Sequence, residues 1–124
     1  MKYLMLITHD EAWRDRGIPQ ALMDAMGPWM EAKMKSGAVV DTAGLQASKH
    51  GRRVHSSAAS LTVTDGPFTE GKELVGGFVM FEAPSLDAAV ELTREFAELH
   101  RVHFPAFEMT CEVRPLEVFE ADGA

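Results

Sequence analysis

Thr64-Asp65-Gly66-Pro67-Phe68-Thr69-Glu70-Gly71-Lys72-Glu73-Leu74-Val75-Gly76-Gly77-Phe78 is the stretch on which the reading of this fold turns. Asp65-Gly66-Pro67 has the composition of a tight turn, since aspartate can accept backbone hydrogen bonds, glycine tolerates positive φ, and proline fixes the exit. Phe68 reads as an apolar anchor for the loop, and Glu70, Lys72 and Glu73 crowd charge ahead of Gly76-Gly77. The strand that follows, Gly77-Phe78-Val79-Met80-Phe81-Glu82, is apolar on both faces. A strand wet on one side alternates, so one that does not is expected at the centre of a sheet, covered on both sides.

Working outward, Tyr3-Leu4-Met5-Leu6-Ile7 has the same two-faced apolar character and turns polar abruptly at Thr8-His9-Asp10-Glu11. A helix is expected from Pro19 to Ser36, with Leu22, Met26, Trp29, Met30 and Met34 at helical spacing and Ser36-Gly37 as the stop. Pro28 lies inside that pattern and predicts a kink or two abutting helices. A second strand begins at Ala38-Val39-Val40 and runs irregularly through Gly44-Leu45-Gln46. Lys49 to Arg52 reads as a hairpin turn, and Arg53–His55 and Ser60–Thr64 as one interrupted or two short strands. Ser85 is the expected N-cap of a second helix with Asp87 in its first turn, and Leu86, Ala89, Val90, Thr93, Phe96 and Ala97 form its inner stripe. Phe107 to Leu116 alternates as a last strand. The acidic residues 117–124 are expected to fray.

Strand, helix, strand with a hairpin insertion, strand, helix, strand is the order of an α+β, ferredoxin-like (split βαβ) subunit. Its first and third core strands are central, and these are the two strands read as apolar on both faces. Two helices cover one face of such a sheet. A second copy is the economical cover for the other, so a homodimer through sheet-on-sheet packing, a dimeric α+β barrel, is expected.

Composition bounds the function. The chain has 124 residues, 46% of them hydrophobic, which matches one domain with a real core. A net charge of −7 disfavours a nucleic-acid partner. No apolar run is long enough to span a bilayer, and the N-terminus lacks the pattern of a secretory signal. One cysteine precludes an internal disulfide framework, so a cytoplasmic location is the simplest expectation. Cys111 sits among apolar neighbours and reads as an inert thiol.

Asp65-Gly66-Pro67-Phe68, with Glu70, Lys72-Glu73 and Gly76-Gly77-Phe78, resembles the signature of the DGPF branch of the YCII-related family. Lys2–Ile7, Gly44-Leu45-Gln46, Arg53-Val54, Glu112–Leu116 and Phe119-Glu120-Ala121 resemble family segments in the same order, so the resemblance spans nearly the whole chain. It implies a dimeric α+β barrel of ferredoxin-like subunits. It also implies either a small-molecule site of the kind proposed for a His/Asp cleft in the broader superfamily, or a regulatory or sensing module linked to an extracytoplasmic-function sigma factor. Three departures stand out: the first helix has no histidine, Ala43 replaces an acidic residue common in relatives, and Pro28 enters a helix usually uninterrupted.

The expected site is a cleft near the Asp65–Phe68 loop, at an end of the sheet. His9, Asp65 and Lys72 are the acid/base candidates for lyase- or isomerase-like chemistry, histidine because its ordinary pKa lies near neutrality. Arg53, His55, Phe68, Glu70 and Trp29 are the candidate substrate-binding residues, although Trp29 also belongs to a stripe with the spacing of core. Against Asp65 stands its simpler role in the turn. His100 and His103 are three apart without an evident third ligand, so no metal is expected, and no cofactor motif is visible.

Overall fold

The computed structural model describes residues 1–68, 71 and 73–119. Its strands are β1 (Lys2–Asp10), β2 (Val39–Gly44), β3 (Arg52–Ser56), β4 (Leu61–Asp65), β5 (Glu73–Glu82) and β6 (Met109–Pro115). Its helices are α1 (Gln20–Ser36) and α2 (Leu86–His103), with 3-10 turns at Glu11–Arg16 and Ser48–His50. Four strands form one antiparallel sheet in the order β2-β5-β1-β6. Because β1 and β2 both run antiparallel to β5, they point the same way with β5 between them. This is the split βαβ arrangement, an α+β architecture consistent with a ferredoxin-like fold. The two strands expected at the centre are the central pair, β5 and β1.

The side-chain period of two decides what each face does. Tyr3 and Met5 of β1 and Val79 and Phe81 of β5 point to the helix side and are buried with Val39, Ala89 and Phe96. Leu4, Leu6, Phe78 and Met80 point the other way and stay partly exposed. They form a contiguous strip, because Leu4 is paired with Met80 and Leu6 with Phe78 across the β1–β5 ladder. The sequence reading had both faces of these strands covered; one chain covers only the helix side.

Caps mark the start of α2 and the end of α1. Ser85 Oγ accepts a hydrogen bond from the Ala88 amide at 3.1 Å, and Gly37, with φ of 86°, closes α1 in the left-handed conformation. Of the kink or two abutting helices expected at Pro28, the second does not occur, because α1 runs as one helix through it. Proline removes a single amide donor, while Met26, Trp29 and Met30 on the same helix pack against the core. The buried stripe of α2 is Ala89, Thr93 and Phe96, with Leu92 beside it; Leu86 and Val90, expected in that stripe, are exposed.

The hairpin lies elsewhere than expected. Residues 48–52 do not join two paired strands; Ser48–His50 is a 3-10 turn, and Ser57 and Ser60 exchange backbone hydrogen bonds at the tip of a separate two-stranded β3–β4 ribbon. Every residue of β3 and β4 is exposed, including the apolar Val54, Leu61 and Val63.

Candidate functional site

A cleft of about 520 Å³ opens where β1 ends, β5 begins and the segment after β2 crosses beside them. Its apolar lining is Leu45, Phe68, Leu74 and Val75, and its polar lining includes Glu11, Ser48, His50 and Arg53. Backbone bonds fix the crossing segment, with the Leu45 amide on the Gly76 carbonyl at 2.9 Å and the Gly66 amide on the Gly51 carbonyl at 3.0 Å.

Glu11 is the polar centre of this arrangement. Its carboxylate accepts from the Ser48 amide at 2.6 Å and from the Ser48 hydroxyl at 2.7 Å. The same hydroxyl accepts from the Phe68 amide at 3.0 Å. One acidic side chain thereby ties the end of β1 to the 3-10 turn and, through it, to the loop carrying Phe68. Arg14 Nε stands 3.9 Å from the Glu11 carboxylate. Burial alone would raise the Glu11 pKa, but the two Ser48 hydrogen bonds and the charges of Arg14 and His9 outweigh it, and the carboxyl titrates below its ordinary value. An ionised carboxylate engaged this way is an anchor and a poor proton acceptor.

Glycines permit the close approaches. A Cβ on Gly66 would stand 1.8 Å from the Ser48 carbonyl oxygen, so only glycine lets the two loops meet. Positive φ, the reason expected from the turn, does not apply, since among the described residues only Gly17 and Gly37 adopt it. The Gly66–Pro67 peptide is cis. A Cβ on Gly76 would stand 2.1 Å from His9 Nε2, so the imidazole lies directly over the β5 backbone.

The expected site residues divide sharply. Arg53 and Phe68 both line the cleft, with the Arg53 guanidinium 4.0 Å from the centre of the Phe68 ring, a cation–π contact. His9 borders the cleft without lining it; its Nδ1 is 3.0 Å from the Asp10 carbonyl oxygen and its ring lies against Phe107. Asp65 points to solvent, 80% exposed, and pairs with Arg52 at 3.1 Å. His55 is an exposed ribbon residue, because β3 pairs with β4 and not with the main sheet. Trp29 is a helix tie, donating from Nε1 to Glu95 at 2.9 Å and packing on Phe96 away from the cleft. Glu70 and Lys72 lie outside the described residues.

Sequence reasoning missed Glu11, Ser48 and His50 as cleft residues. The abrupt polar end of β1 was the available signal for Glu11. Nothing local marks Ser48, whose role exists only because Glu11 and Phe68 converge on it. Among the described residues no cluster of potential metal ligands occurs, and no helix is long and apolar enough to cross a membrane.

A family model of the YCII-related domain matches residues 1–100, a span that contains every cleft residue named above. An uncharacterized protein of Rhizobium meliloti (strain 1021) is 27% identical over 124 residues, covering 97% of this chain and 95% of the relative.

Proposed function

The chain belongs to the YCII-related family, and from that premise we propose that it is a homodimeric binding protein for a small organic anion with an apolar body. The Asp65-Gly66-Pro67-Phe68 sequence supports placing it in the DGPF branch. The observation that carries the binding reading is the Glu11–Ser48–Phe68 tie, which holds a preformed rim around apolar walls. Leu45, Leu74, Val75 and Phe68 suit an apolar or aromatic ligand body, and Arg53 supplies the cationic side that suits a carboxylate or phosphate, with the His50 ring beside it in the lining. Acid/base chemistry is the weaker part of the sequence reading. Glu11 is held ionised, His9 stands outside the lining and Asp65 faces solvent, so the arrangement favours binding over lyase- or isomerase-like turnover.

The strip of Leu4, Leu6, Phe78 and Met80 supports the dimer. It is apolar, central and flanked by Glu112 and Arg114 of β6, the pattern of an interface core with a polar rim. Two copies packed open face to open face would form the dimeric α+β barrel. Light scattering should give twice the chain mass at micromolar concentration, and Leu6→Glu should give the monomer.

A thermal-shift screen of small aromatic and aliphatic carboxylates and phosphates tests the cleft. Hits should raise the melting temperature of the native protein and lose that gain in Arg53→Gln. A screen without hits, or hits that stabilise Arg53→Gln equally, would remove the anion reading.

A further inference from the structure

We infer that Trp13 is the positioning residue of the cleft: wedged against Phe104 and Phe107 at the end of α2, it holds the Glu11–Arg16 turn where the Glu11 carboxylate meets Ser48. The inference rests on the cleft being the binding site proposed above and adds the contact that sets its rim.

β1 fixes the chain only as far as Asp10, whose side chain accepts from the Ala12 amide at 2.9 Å and starts the turn. Beyond it six residues run as a 3-10 helix, longer than such helices usually are, because their hydrogen bonds are poorly aligned. None of the six is fully buried, so the turn takes its place from a few side-chain contacts. Its three-residue period divides those contacts between two directions. Glu11 and Arg14, three apart, lie together at 3.9 Å beside the Ser48 turn. Trp13 and Arg16, also three apart, lie together another way, with the Arg16 guanidinium 4.5 Å from the centre of the Trp13 ring.

Trp13 meets the end of α2 edge-on. Its ring centre stands 5.5 Å from that of Phe104 and 5.6 Å from that of Phe107, each at 89°. That is the edge-to-face geometry which the charge distribution of aromatic rings favours. The two phenylalanines stack on each other at 5.0 Å. Backbone bonds pin them to the helix, from the Phe104 amide to the His100 carbonyl at 2.7 Å and from the Phe107 amide to the Phe104 carbonyl at 3.0 Å. Trp13 itself does not line the cleft; Glu11, two residues earlier, is the member of the turn that does. The turn therefore carries the position of the aromatic platform to the rim, through Glu11 to Ser48 and from Ser48 to the Phe68 loop.

A double-mutant cycle on the full chain tests this without ligand. Urea midpoints are read for Ser48→Ala in the native, Trp13→Ala and Trp29→Ala backgrounds. Trp29 is the control, a tryptophan that packs on Phe96 of the same helix. The midpoint drop caused by Ser48→Ala should shrink to roughly half or less in Trp13→Ala and stay whole in Trp29→Ala. If Trp13→Ala does not fold, Trp13→Leu, apolar but without the edge-to-face contacts, carries the same cycle. A second readout is the titration of the Glu11 carboxyl, followed by carboxyl-carbon NMR. Burial pushes it up and the Ser48 hydrogen bonds pull it below its ordinary value, so release to solvent in Trp13→Ala should return it upward, with no change in Trp29→Ala. Titration with 1-naphthoate, an aromatic carboxylate, reads the effect on binding: Trp13→Ala should bind it about tenfold more weakly than the native protein, and Trp29→Ala equally well. Additive substitutions with an unmoved Glu11 titration overturn the inference, even where 1-naphthoate binds. A coupled cycle with a shifted titration upholds the hold of Trp13 on the rim, and a native protein that then fails to bind 1-naphthoate counts against the anion reading alone.

Discussion

The Glu11 carboxylate grips Ser48 at two points, the amide at 2.6 Å and the hydroxyl at 2.7 Å, and Ser48 in turn holds the Phe68 amide. Residues far apart in the chain thereby set the shape of the cleft. Glu11→Gln keeps the size of the side chain and removes its charge, and it should destabilise the protein by about 1–3 kcal/mol in urea titrations. Ser48→Ala should cost a similar amount. Their double variant should cost less than the sum, because both remove the same tie.

The Glu11 tie has a pH signature. The folded-state carboxyl titrates below its unfolded value, so its contribution is fully present above the unfolded pKa and is lost as pH falls through the folded one. The stability advantage of the native protein over Glu11→Gln should be constant from pH 7 to 5 and shrink below about pH 4.5. Urea midpoints of both proteins at pH 7, 5 and 3.5 check this; an advantage that grows toward low pH would contradict it.

His100 should give the opposite end of the acidic limb its slope. Its ring packs on Phe96 with centroids 4.6 Å apart, and Nδ1 is 2.9 Å from the Phe96 carbonyl oxygen. Burial lowers its pKa despite that hydrogen bond. The unfolded chain therefore binds a proton at His100 more readily than the folded one, and stability should fall as pH drops below about 6.5. Comparing urea midpoints at pH 7.5 and 5.5, His100→Gln should show a smaller loss than the native protein.

The two close-packed glycines should respond differently to alanine. At Gly76 the obstructing group is the His9 imidazole, a side chain that can be removed. Gly76→Ala should cost about 1–3 kcal/mol, and adding His9→Ala should recover part of it. At Gly66 the obstruction is the Ser48 backbone carbonyl, so no side-chain substitution relieves it. Gly66→Ala should be the more damaging change by thermal melting.

Cys111 should be a slow thiol. It faces the groove beside α2, and burial pushes its pKa up to about 11. Reaction with an aromatic disulfide reagent at pH 7.5 should be far slower in the folded protein than in urea. Equal rates would show that the thiol is open to solvent.

Much of the architecture was legible because it rests on local repetition. Apolar side chains on both faces of Tyr3–Ile7 and Gly77–Glu82 marked the central strands, and the Ser85 cap and the Gly37 stop marked helix ends, since each depends on neighbours a few residues away. The cleft was legible only in part. Phe68 and Arg53 were readable as an anchor and a cation beside a turn, but Asp65, the most conspicuous acid in the opening motif, faces solvent against Arg52. The acid that shapes the cleft is Glu11, half a chain away from that motif. Its partner Ser48 has no local signature, and Gly66 is required by the Ser48 carbonyl and not by its own φ. A sequence period fixes which face a side chain takes along its own strand. Which loops converge at the strand's end is set by sheet order and register, and those are decided only when the whole chain packs.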